Sequence, residues 1–219
     1  MSDKRAILFA NGELHQTAWL NSFLLPSDYL IAVDGGLNHL ETLGLVPNLL
    51  IGDLDSVTEE QVSRAEIQGV KIERFPVKKD ETDLELALLA AHKLGFRELI
   101  IAAALGGRLD QTLANLSLLL LPEIQDCQVR FEDGQEEIFL AHSSTQINGS
   151  PNDIVSLVPL WGAVTGVITQ NLAFPLKNET LYPEHTRGIS NTMTAASATV
   201  TTSSGDLLCI HIHPPKELK

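Results

Sequence analysis

The sequence predicts an α/β domain with a parallel, Rossmann-like sheet, followed by a smaller all-β domain of the sandwich or barrel type. From Arg5 to about Leu121, short runs rich in Leu, Ile and Val alternate with longer helical patterns, which is typical of βαβ units. After Pro122, short alternating stretches are separated by Gly, Pro, Asn and Ser. We therefore expect residues 1–140 to form the α/β domain and residues 141–219 the β domain.

The α/β domain is predicted from apolar runs and the helical segments between them. Strands are expected at Ala6–Ala10, Tyr29–Val33, Asn48–Ile51, Val70–Phe75, Leu99–Ala104 and Gln128–Glu132. Helices are expected at His15–Leu25, Gly36–Leu43, Thr58–Ile67, Thr82–Leu94 and Leu109–Leu121. Gly44, Gly69 and Gly95 each follow a predicted helix, where glycine readily takes the left-handed conformation that caps a helix.

The β domain is predicted from stretches that alternate between apolar and polar residues. Its strands are expected at Glu137–Ala141, Ile154–Val158, Ala163–Thr169, Ala196–Thr202 and Leu207–Ile212. His211 and His213 alternate at the last of these strands and therefore face the same side. We interpret both as solvated strand residues rather than as a metal site.

The charge of the chain limits its partners. Lys and Arg number 15 and Asp and Glu number 28, so the net charge of −13 argues against a nucleic-acid partner.

Cys127 and Cys209 are too few for a disulfide framework, and we interpret both as small core residues in a reducing cytoplasm. The most apolar stretch, Leu113–Leu121, is far shorter than the roughly 20 residues of a membrane helix. We expect a soluble, cytoplasmic protein with no membrane or nucleic-acid partner.

Polar loops follow five of the predicted strands in the α/β domain. They are Asn11-Gly12-Glu13, Asp34-Gly35-Gly36, Gly52-Asp53-Leu54-Asp55-Ser56, Lys79-Asp80-Glu81-Thr82-Asp83 and Gly106-Gly107-Arg108-Leu109-Asp110. Each loop alone also fits an ordinary turn. Ligands of open parallel sheets bind beyond the carboxyl ends of the strands, so five such loops on one edge indicate a binding site.

Asp53 and Asp55 carry the main indication of a metal ion. Two carboxylates one residue apart repel each other unless a cation lies between them, and Mg²⁺ prefers oxygen ligands. Asp83 follows Thr82 in the capping-box pattern TDLE, in which Glu85 is expected to reach back to the Thr82 amide. The helix dipole alone favours an acid at this position, and the alternative is that Asp83 joins the metal site.

A phosphate site is predicted at Gly106-Gly107-Arg108. Exposed amides at the start of a helix favour an anion, and the arginine fork can hold phosphate oxygens. The compact positive charge of the Lys79 ammonium can pair with phosphate oxygens. The Walker A and GxGxxG patterns are absent from the sequence, and so are the GxSxG and HExxH motifs. A nucleotide site in this chain is therefore of a less common type.

The motifs DGGLNHL, GDLDS, KDETDLELAL and GGRLDQTLAN, with GISN near the C-terminus, resemble those of the thiamine pyrophosphokinase family in order and spacing. The resemblance covers nearly the whole chain. It implies Mg²⁺-dependent transfer of the diphosphoryl group from ATP to the hydroxyethyl oxygen of thiamine, with AMP as the second product. It also implies an N-terminal α/β domain, a C-terminal β domain, and a homodimer whose active sites lie between subunits.

The resemblance also implies a role for each matched residue. The implied metal ligands are Asp53, Asp55 and Asp83. The implied shell around ATP and the substrate consists of Asp34, Lys79, Asp80, Thr82, Arg108, Asp110 and Gln111. The implied thiamine pocket contains Ser190 and Asn191, with Phe174 stacked on the pyrimidine ring or, alternatively, serving as a plain core residue. Either Asp34 or Asp110 is expected to orient the attacking hydroxyl or accept its proton.

Two other functions remain open from the sequence. A diphosphokinase for another heterocyclic alcohol, of the hydroxymethylpterin type, could use the same carboxylate loops with a different acceptor pocket. A Mg²⁺-nucleotide sensor could keep the loops and bind ATP without turnover. The acceptor pocket of the β domain decides between thiamine and another heterocyclic alcohol. Release of AMP would exclude the sensor, because a sensor does not turn ATP over.

Overall fold

The computed structural model describes residues 4–14 and 20–213. The chain divides into two compact units, Met1–Asp133 and Gly134–Lys219. The boundary expected after residue 140 lies inside the first strand of the second unit, which spans Glu136–Ala141.

The first unit contains a six-stranded sheet in which each pair of neighbours is parallel. Its strands are β1 (Arg5–Phe9), β2 (Tyr29–Val33), β3 (Leu49–Gly52), β4 (Lys71–Arg74), β5 (Glu98–Ala102) and β6 (Gln128–Glu132). The strand order is β6-β5-β1-β2-β3-β4. The predicted parallel α/β architecture is confirmed. Because β1 lies between β2 and β5, the strand order reverses there, and ligand sites are expected at the carboxyl ends around this point.

Helices connect these strands. They are α1 (Leu20–Phe23), α2 (Gly36–Thr42), α3 (Glu59–Ile67), α4 (Asp83–Lys93) and α5 (Leu109–Ser117). Of the helix predicted at His15–Leu25, residues 15–19 lie outside the described part of the chain. The prediction that α5 continues to Leu121 is wrong, because the chain passes into 3₁₀ turns at Leu118–Leu120 and Pro122–Ile124. Leu121 is extended, with ψ 120°, as expected of a residue that precedes proline.

Glycine ends three of these helices as predicted. Gly44, Gly69 and Gly95 follow α2, α3 and α4 with φ of 69°, 83° and 92°. A side chain at these positions would be strained in the left-handed region, whereas glycine is not.

The capping-box prediction is half confirmed at α4. The Thr82 hydroxyl accepts a hydrogen bond from Glu85 N at 3.2 Å, but no return bond from Glu85 is among the described contacts of this helix. The complete box lies at α3, where Thr58 Oγ1 accepts from Gln61 N at 3.2 Å and Thr58 N donates to Gln61 Oε1 at 2.9 Å.

We expect Thr58→Ala to lower the free energy of unfolding by about 1 kcal/mol, because the first turn of α3 loses its side-chain cap. Thr58→Ser keeps the hydroxyl and is the matched control. Chemical denaturation of both variants measures the difference. Equal stability of the alanine and serine variants would show that the cap contributes nothing.

Helices cover the sheet of the first unit and bury an apolar core with it. Ile7, Phe9, Leu50, Ile100 and Ala102 from the strands have no exposed side-chain surface. Strands with buried residues on both faces read as continuous apolar runs, which is why their positions were predictable. Among the described residues, no helix is both long enough and apolar enough to cross a membrane.

The second unit is built from antiparallel strands. They are β7 (Glu136–Ala141), β8 (Ser144–Asn148), β9 (Ile154–Val158), β10 (Val164–Gln170), β11 (Lys177–Leu181), β12 (Asn191–Thr192), β13 (Ser197–Thr201) and β14 (Leu207–Ile212). One set is ordered β12-β9-β14-β7 and the other β11-β10-β13-β8. The predicted all-β domain is confirmed.

The strands β8, β11 and β12 were not predicted. All three lie at an edge of their set, where a strand needs few apolar residues. The core of this unit contains Val155, Leu157, Val200 and Cys209, each without exposed surface. Cys209 is the small core residue predicted, whereas Cys127, in the first unit, is only half-buried.

Candidate functional site

The acids predicted at the strand ends of the first unit converge. Asp34 follows β2, Asp53 follows β3, and Asp83 opens α4. One carboxylate oxygen from each lies within 4.8 Å of the other two. Asp34 is buried, and Asp53 and Asp83 are half-buried. We call these three residues the acidic cluster.

The backbone around the acidic cluster brings the carboxylates together. Asp34 has φ 46°, and its N–H donates to Ile51 O at 2.8 Å, which holds the end of β2 beside the end of β3. Gly52 has φ 145°, and a Cβ at this position would lie 3.1 Å from Asp34 Cβ and 3.2 Å from the Asp83 carboxyl carbon. A side chain at position 52 would therefore adopt a strained backbone conformation and press against both acids, which glycine avoids.

Lys79 supplies a positive charge to the acidic cluster. Its Nζ lies 3.3 Å from Asp53 Oδ2 and 3.0 Å from Asp83 Oδ1. Burial raises the pKa of Asp83 despite this ammonium group. Burial also opposes the charge of Lys79, but its hydrogen bonds to Asp83 and Asp53 outweigh that effect and raise its pKa. Three ionised carboxylates and one ammonium leave two negative charges, which a divalent cation neutralises.

The structure places Asp55 outside the acidic cluster. Its side chain is exposed and accepts a hydrogen bond from Ser56 Oγ at 3.0 Å. Its backbone N–H donates to Asp53 Oδ1 at 3.2 Å, so the two acids share one tight loop. Asp34, which was predicted for the surrounding shell, is instead the third member of the cluster. Asp80 and Thr82 are exposed in the loop before α4.

Arg108 lies at the start of α5 and is exposed. Its guanidinium donates to both carboxylate oxygens of Asp110, with Nε at 3.1 Å from Oδ1. This pairing lowers the pKa of Asp110. Gln111, beside it, is also exposed. The arginine is therefore held by an acid in the first turn of α5 rather than by the acidic cluster.

Gly106 and Gly107 precede Arg108 with φ of 81° and 63°. A Cβ on Gly106 would lie 2.8 Å from Glu13 Oε2, so the glycine makes room for the Glu13 side chain. Sequence reasoning placed Glu13 in a strand-end loop but assigned it no role. Its position after β1, where the strand order reverses, is the feature that places it near the candidate site.

The second unit contains a cavity of about 350 Å³ lined by Phe174, Thr186, Arg187, Gly188, Ile189 and Asn191. Phe174 is 64% exposed, which excludes the core alternative for this residue. Ile189 is 46% exposed, so the cavity wall presents an aromatic and an aliphatic surface. Arg187 is fixed by Glu179, with two nitrogen–oxygen distances of 3.0 Å.

Asn191 positions Phe174 rather than pointing a free amide into the cavity. Its Oδ1 accepts from Phe174 N at 2.9 Å, and its Nδ2 donates to Phe174 O at 2.7 Å. Ser190, which has φ 54°, is exposed, and its N–H donates to Ser156 Oγ at 3.0 Å. Thr186 and Arg187 were not predicted, because no motif marks them in the sequence, and Ile189, which lies in the GISN motif, was assigned no role.

Two family models match the chain. Residues 20–131 match the model described as thiamin pyrophosphokinase, catalytic domain. Residues 144–207 match the model described as thiamin pyrophosphokinase, vitamin B1 binding domain. The acidic cluster and Arg108 lie in the first match, and the cavity around Phe174 lies in the second.

Individual relatives agree with the family models. The thiamine pyrophosphokinase of Bacillus subtilis strain 168 is 29% identical over 182 residues, which cover 82% of this chain and 85% of the relative. A crystal structure of the Bacillus subtilis thiamine pyrophosphokinase superposes with a TM-score of 0.85 at 26% identity, covering 96% of this chain and 100% of that one. The yeast thiamin pyrophosphokinase structure has a TM-score of 0.81 at 19% identity and covers 97% and 87%, which shows a shared fold.

Proposed function

We propose that this chain, which belongs to the thiamin pyrophosphokinase family, binds Mg²⁺ at its acidic cluster and there transfers a diphosphoryl group from ATP to thiamine. Its reaction is the ATP-dependent formation of thiamine diphosphate, so the family predicted from the motifs is confirmed. The vitamin B1 binding match favours thiamine over a pterin-type acceptor. The observation that carries the magnesium proposal is the convergence of Asp34, Asp53 and Asp83 within 4.8 Å.

The proposed ligands are Asp53 and Asp83 of the acidic cluster, joined by Asp55 from the same loop as Asp53, as the sequence resemblance implies. Asp34, the third member of the cluster, is proposed to act on the substrate hydroxyl instead. Carboxylate oxygens are the donors that Mg²⁺ prefers, and a Mg²⁺ site in a phosphoryl-transfer enzyme needs only one or two of them beside phosphate oxygens and water. When bound, the ion neutralises the charge on the phosphates. The two excess negative charges of the acidic cluster and Lys79 fit a divalent ion.

Lys79 is proposed to serve both the acids and the nucleotide. Its ammonium pairs with Asp53 and Asp83 at 3.3 and 3.0 Å. With Mg²⁺ held by these acids, the Lys79 ammonium would be free to contact phosphate oxygens. Asp80, Thr82 and Gln111, all exposed, are proposed to complete the nucleotide contacts around it.

Arg108 is proposed to neutralise the charge that develops on the transferred group. Its pairing with Asp110 orients the guanidinium fork, so we assign Asp110 a positioning role. For the residue that orients the attacking hydroxyl we propose Asp34. It lies within the acidic cluster, whereas the arginine lowers the pKa of Asp110 and makes it a weaker base.

The acceptor pocket is proposed to be the cavity around Phe174. An exposed ring held at its backbone by Asn191 offers a flat surface for the pyrimidine ring of thiamine. Ser190 is proposed as a further contact. The chain's net charge of −13 suits the cationic thiazolium ring.

We expect Phe174→Ala to raise the KM for thiamine roughly fivefold, because a stacked aromatic ring contributes about 1 kcal/mol. The KM for ATP should not change. Phe174→Tyr keeps the ring and is the matched control. Steady-state kinetics with each substrate varied in turn measures both constants. An unchanged KM for thiamine in the alanine variant would remove Phe174 from the pocket.

We propose a homodimer in which each active site draws residues from two subunits. The resemblance in sequence is the support for this proposal. Mixing an Asp53→Asn chain with a Phe174→Ala chain, after subunit exchange and at a thiamine concentration far below its KM, should give activity above that of either variant alone. A mixture no more active than its components would contradict a shared site.

A cytoplasmic location is proposed as well. Cys127 and Cys209 are both free thiols in the structure, which is the state expected in a reducing compartment.

A further inference from the structure

A second group of metal-ligand side chains lies in the second unit. His211 Nε2 lies 2.9 Å from Asp153 Oδ2, and His213 Nδ1 lies 3.3 Å from the same oxygen. His211 has no exposed surface and Asp153 is 3% exposed. The prediction of two solvated histidines is therefore wrong for His211. We call Asp153, His211 and His213 the histidine cluster.

Strand pairing builds the histidine cluster. His211 lies in β14, and His213 follows two residues later, so both side chains face the same side of the sheet. Antiparallel pairing of β14 with β9 places Ile212 opposite Ile154, which brings Asp153, just before β9, beside His213. The cluster thus joins the end of the last strand to the start of β9.

The loop before β9 closes over the histidine cluster. The Ser150 N–H donates to Asp153 Oδ2 at 2.9 Å and fixes this carboxylate. A Cβ on Gly149 would lie 2.5 Å from Asp153 Oδ2 and 2.8 Å from His211 Nε2. A side chain at position 149 would therefore fill the space next to both donor atoms, and glycine leaves it open.

A further carboxylate lies behind His211. β7 pairs with β14 so that Glu137 is opposite His211, and Glu137 Oε2 lies 3.7 Å from His211 Nδ1. In protein metal sites, the ring nitrogen of a histidine that does not bind the metal commonly donates to a carboxylate. This carboxylate orients the imidazole ring and raises its basicity. His211 thus has one nitrogen toward Asp153 and the other toward Glu137.

We propose that the histidine cluster binds a divalent transition-metal ion of the zinc class through Asp153, His211 and His213. Imidazole with carboxylate suits Zn²⁺ and Co²⁺, whereas Mg²⁺ prefers oxygen ligands alone. Ligands in a tetrahedral zinc site are about 3.3 Å apart for bonds of about 2.0 Å. The observed separations of 2.9 and 3.3 Å from Asp153 Oδ2 are close to that value.

Charge and access support a metal ion at this place. Asp153 and Glu137 approach the two ring nitrogens of His211, at 2.9 and 3.7 Å, and the negative charge of these carboxylates favours a cation at this place. The His213 side chain is 41% exposed, so the ion can enter from solvent and keep water as a remaining ligand. The site is chemically distinct from the acidic cluster, which offers carboxylates and an ammonium group.

Co²⁺ binding to the full-length protein tests the proposal, because tetrahedral Co²⁺ with nitrogen ligands absorbs in the visible. The titration is run with excess Mg²⁺, so that the acidic cluster is filled and activity is not the readout. We expect the wild type to bind one Co²⁺ with this absorption and to release it to Zn²⁺. His213→Ala and His213→Gln should both lose the absorption. Glu137→Gln should weaken binding by about 10- to 100-fold.

His142→Ala is the matched control, since His142 is an exposed histidine of the same unit. This variant should bind Co²⁺ as the wild type does. Thermal unfolding in a chelator shows whether each variant is folded. A wild type without tetrahedral Co²⁺ absorption would overturn the proposal and leave the histidine cluster as a hydrogen-bonded network only. Absorption retained in both folded His213 variants would overturn it as well.

Discussion

Replacing Asp53 by Asn is expected to lower kcat/KM by on the order of 10³-fold, because the acidic cluster loses one of its three carboxylates, which is also a proposed metal ligand and an ion-pair partner of Lys79. The amide is nearly the same size as the carboxylate, so the fold should be retained. Circular dichroism and thermal unfolding check the fold, and Mg²⁺ titration should show weakened binding. Activity of the Asp53→Asn variant within tenfold of the wild type would contradict the metal site.

Asp206→Asn is the control for this variant, since Asp206 is an exposed acid of the second unit. It removes the same charge without touching the acidic cluster. Asp34→Asn and Asp55→Asn extend the comparison. If Asp55 is a ligand as proposed, its variant should lose Mg²⁺ affinity along with Asp53→Asn. Asp34→Asn should lower kcat with a smaller change in Mg²⁺ affinity, because its proposed role is to orient the hydroxyl.

Arg108→Ala is expected to lower kcat by about 10³-fold, which is the lower range for removing an arginine that stabilises a transferring phosphoryl group. Stability should hardly change, because Arg108 is exposed and its pair with Asp110 lies at the surface. Arg108→Lys should recover little activity, since an ammonium group lacks the two-pronged guanidinium geometry.

Arg97→Ala is the matched control for the arginine. Arg97 pairs with Asp126 at 2.8 Å and precedes β5, at the edge of the sheet opposite the strand-end loops. Single-turnover measurements separate the chemical step from binding. Equal kcat for the Arg108→Ala and wild-type proteins would remove the proposed neutralising role.

The strands of the parallel sheet were predictable because burial on both faces leaves continuous apolar runs, as in β1 and β5. The edge strands β8 and β11 were not, because STQIN and KNETL carry few apolar residues. Edge strands are specified by their pairing partner more than by their own composition. Local sequence therefore gave too little signal for either strand.

The residues of the candidate site were also predictable only in part. Positions directly after strands indicated Asp53 and Asp83 from the sequence, since loops at the carboxyl edge of a parallel sheet must meet. The membership of Asp34 in the acidic cluster depends on its left-handed φ of 46° and on its hydrogen bond to Ile51, neither of which the sequence displays. The burial of His211 depends on strands far away in the chain, which bring Glu137 and Asp153 to it.

The most direct test of diphosphoryl transfer at this site is an incubation with ATP, Mg²⁺ and thiamine, followed by chromatographic quantification of all nucleotides and thiamine phosphates. We expect AMP and thiamine diphosphate to appear in equal amounts, with neither ADP nor thiamine monophosphate formed on the way. Accumulation of ADP with thiamine monophosphate would contradict transfer of the diphosphoryl group in one step. ATP binding without any thiamine phosphate would contradict thiamine as the acceptor.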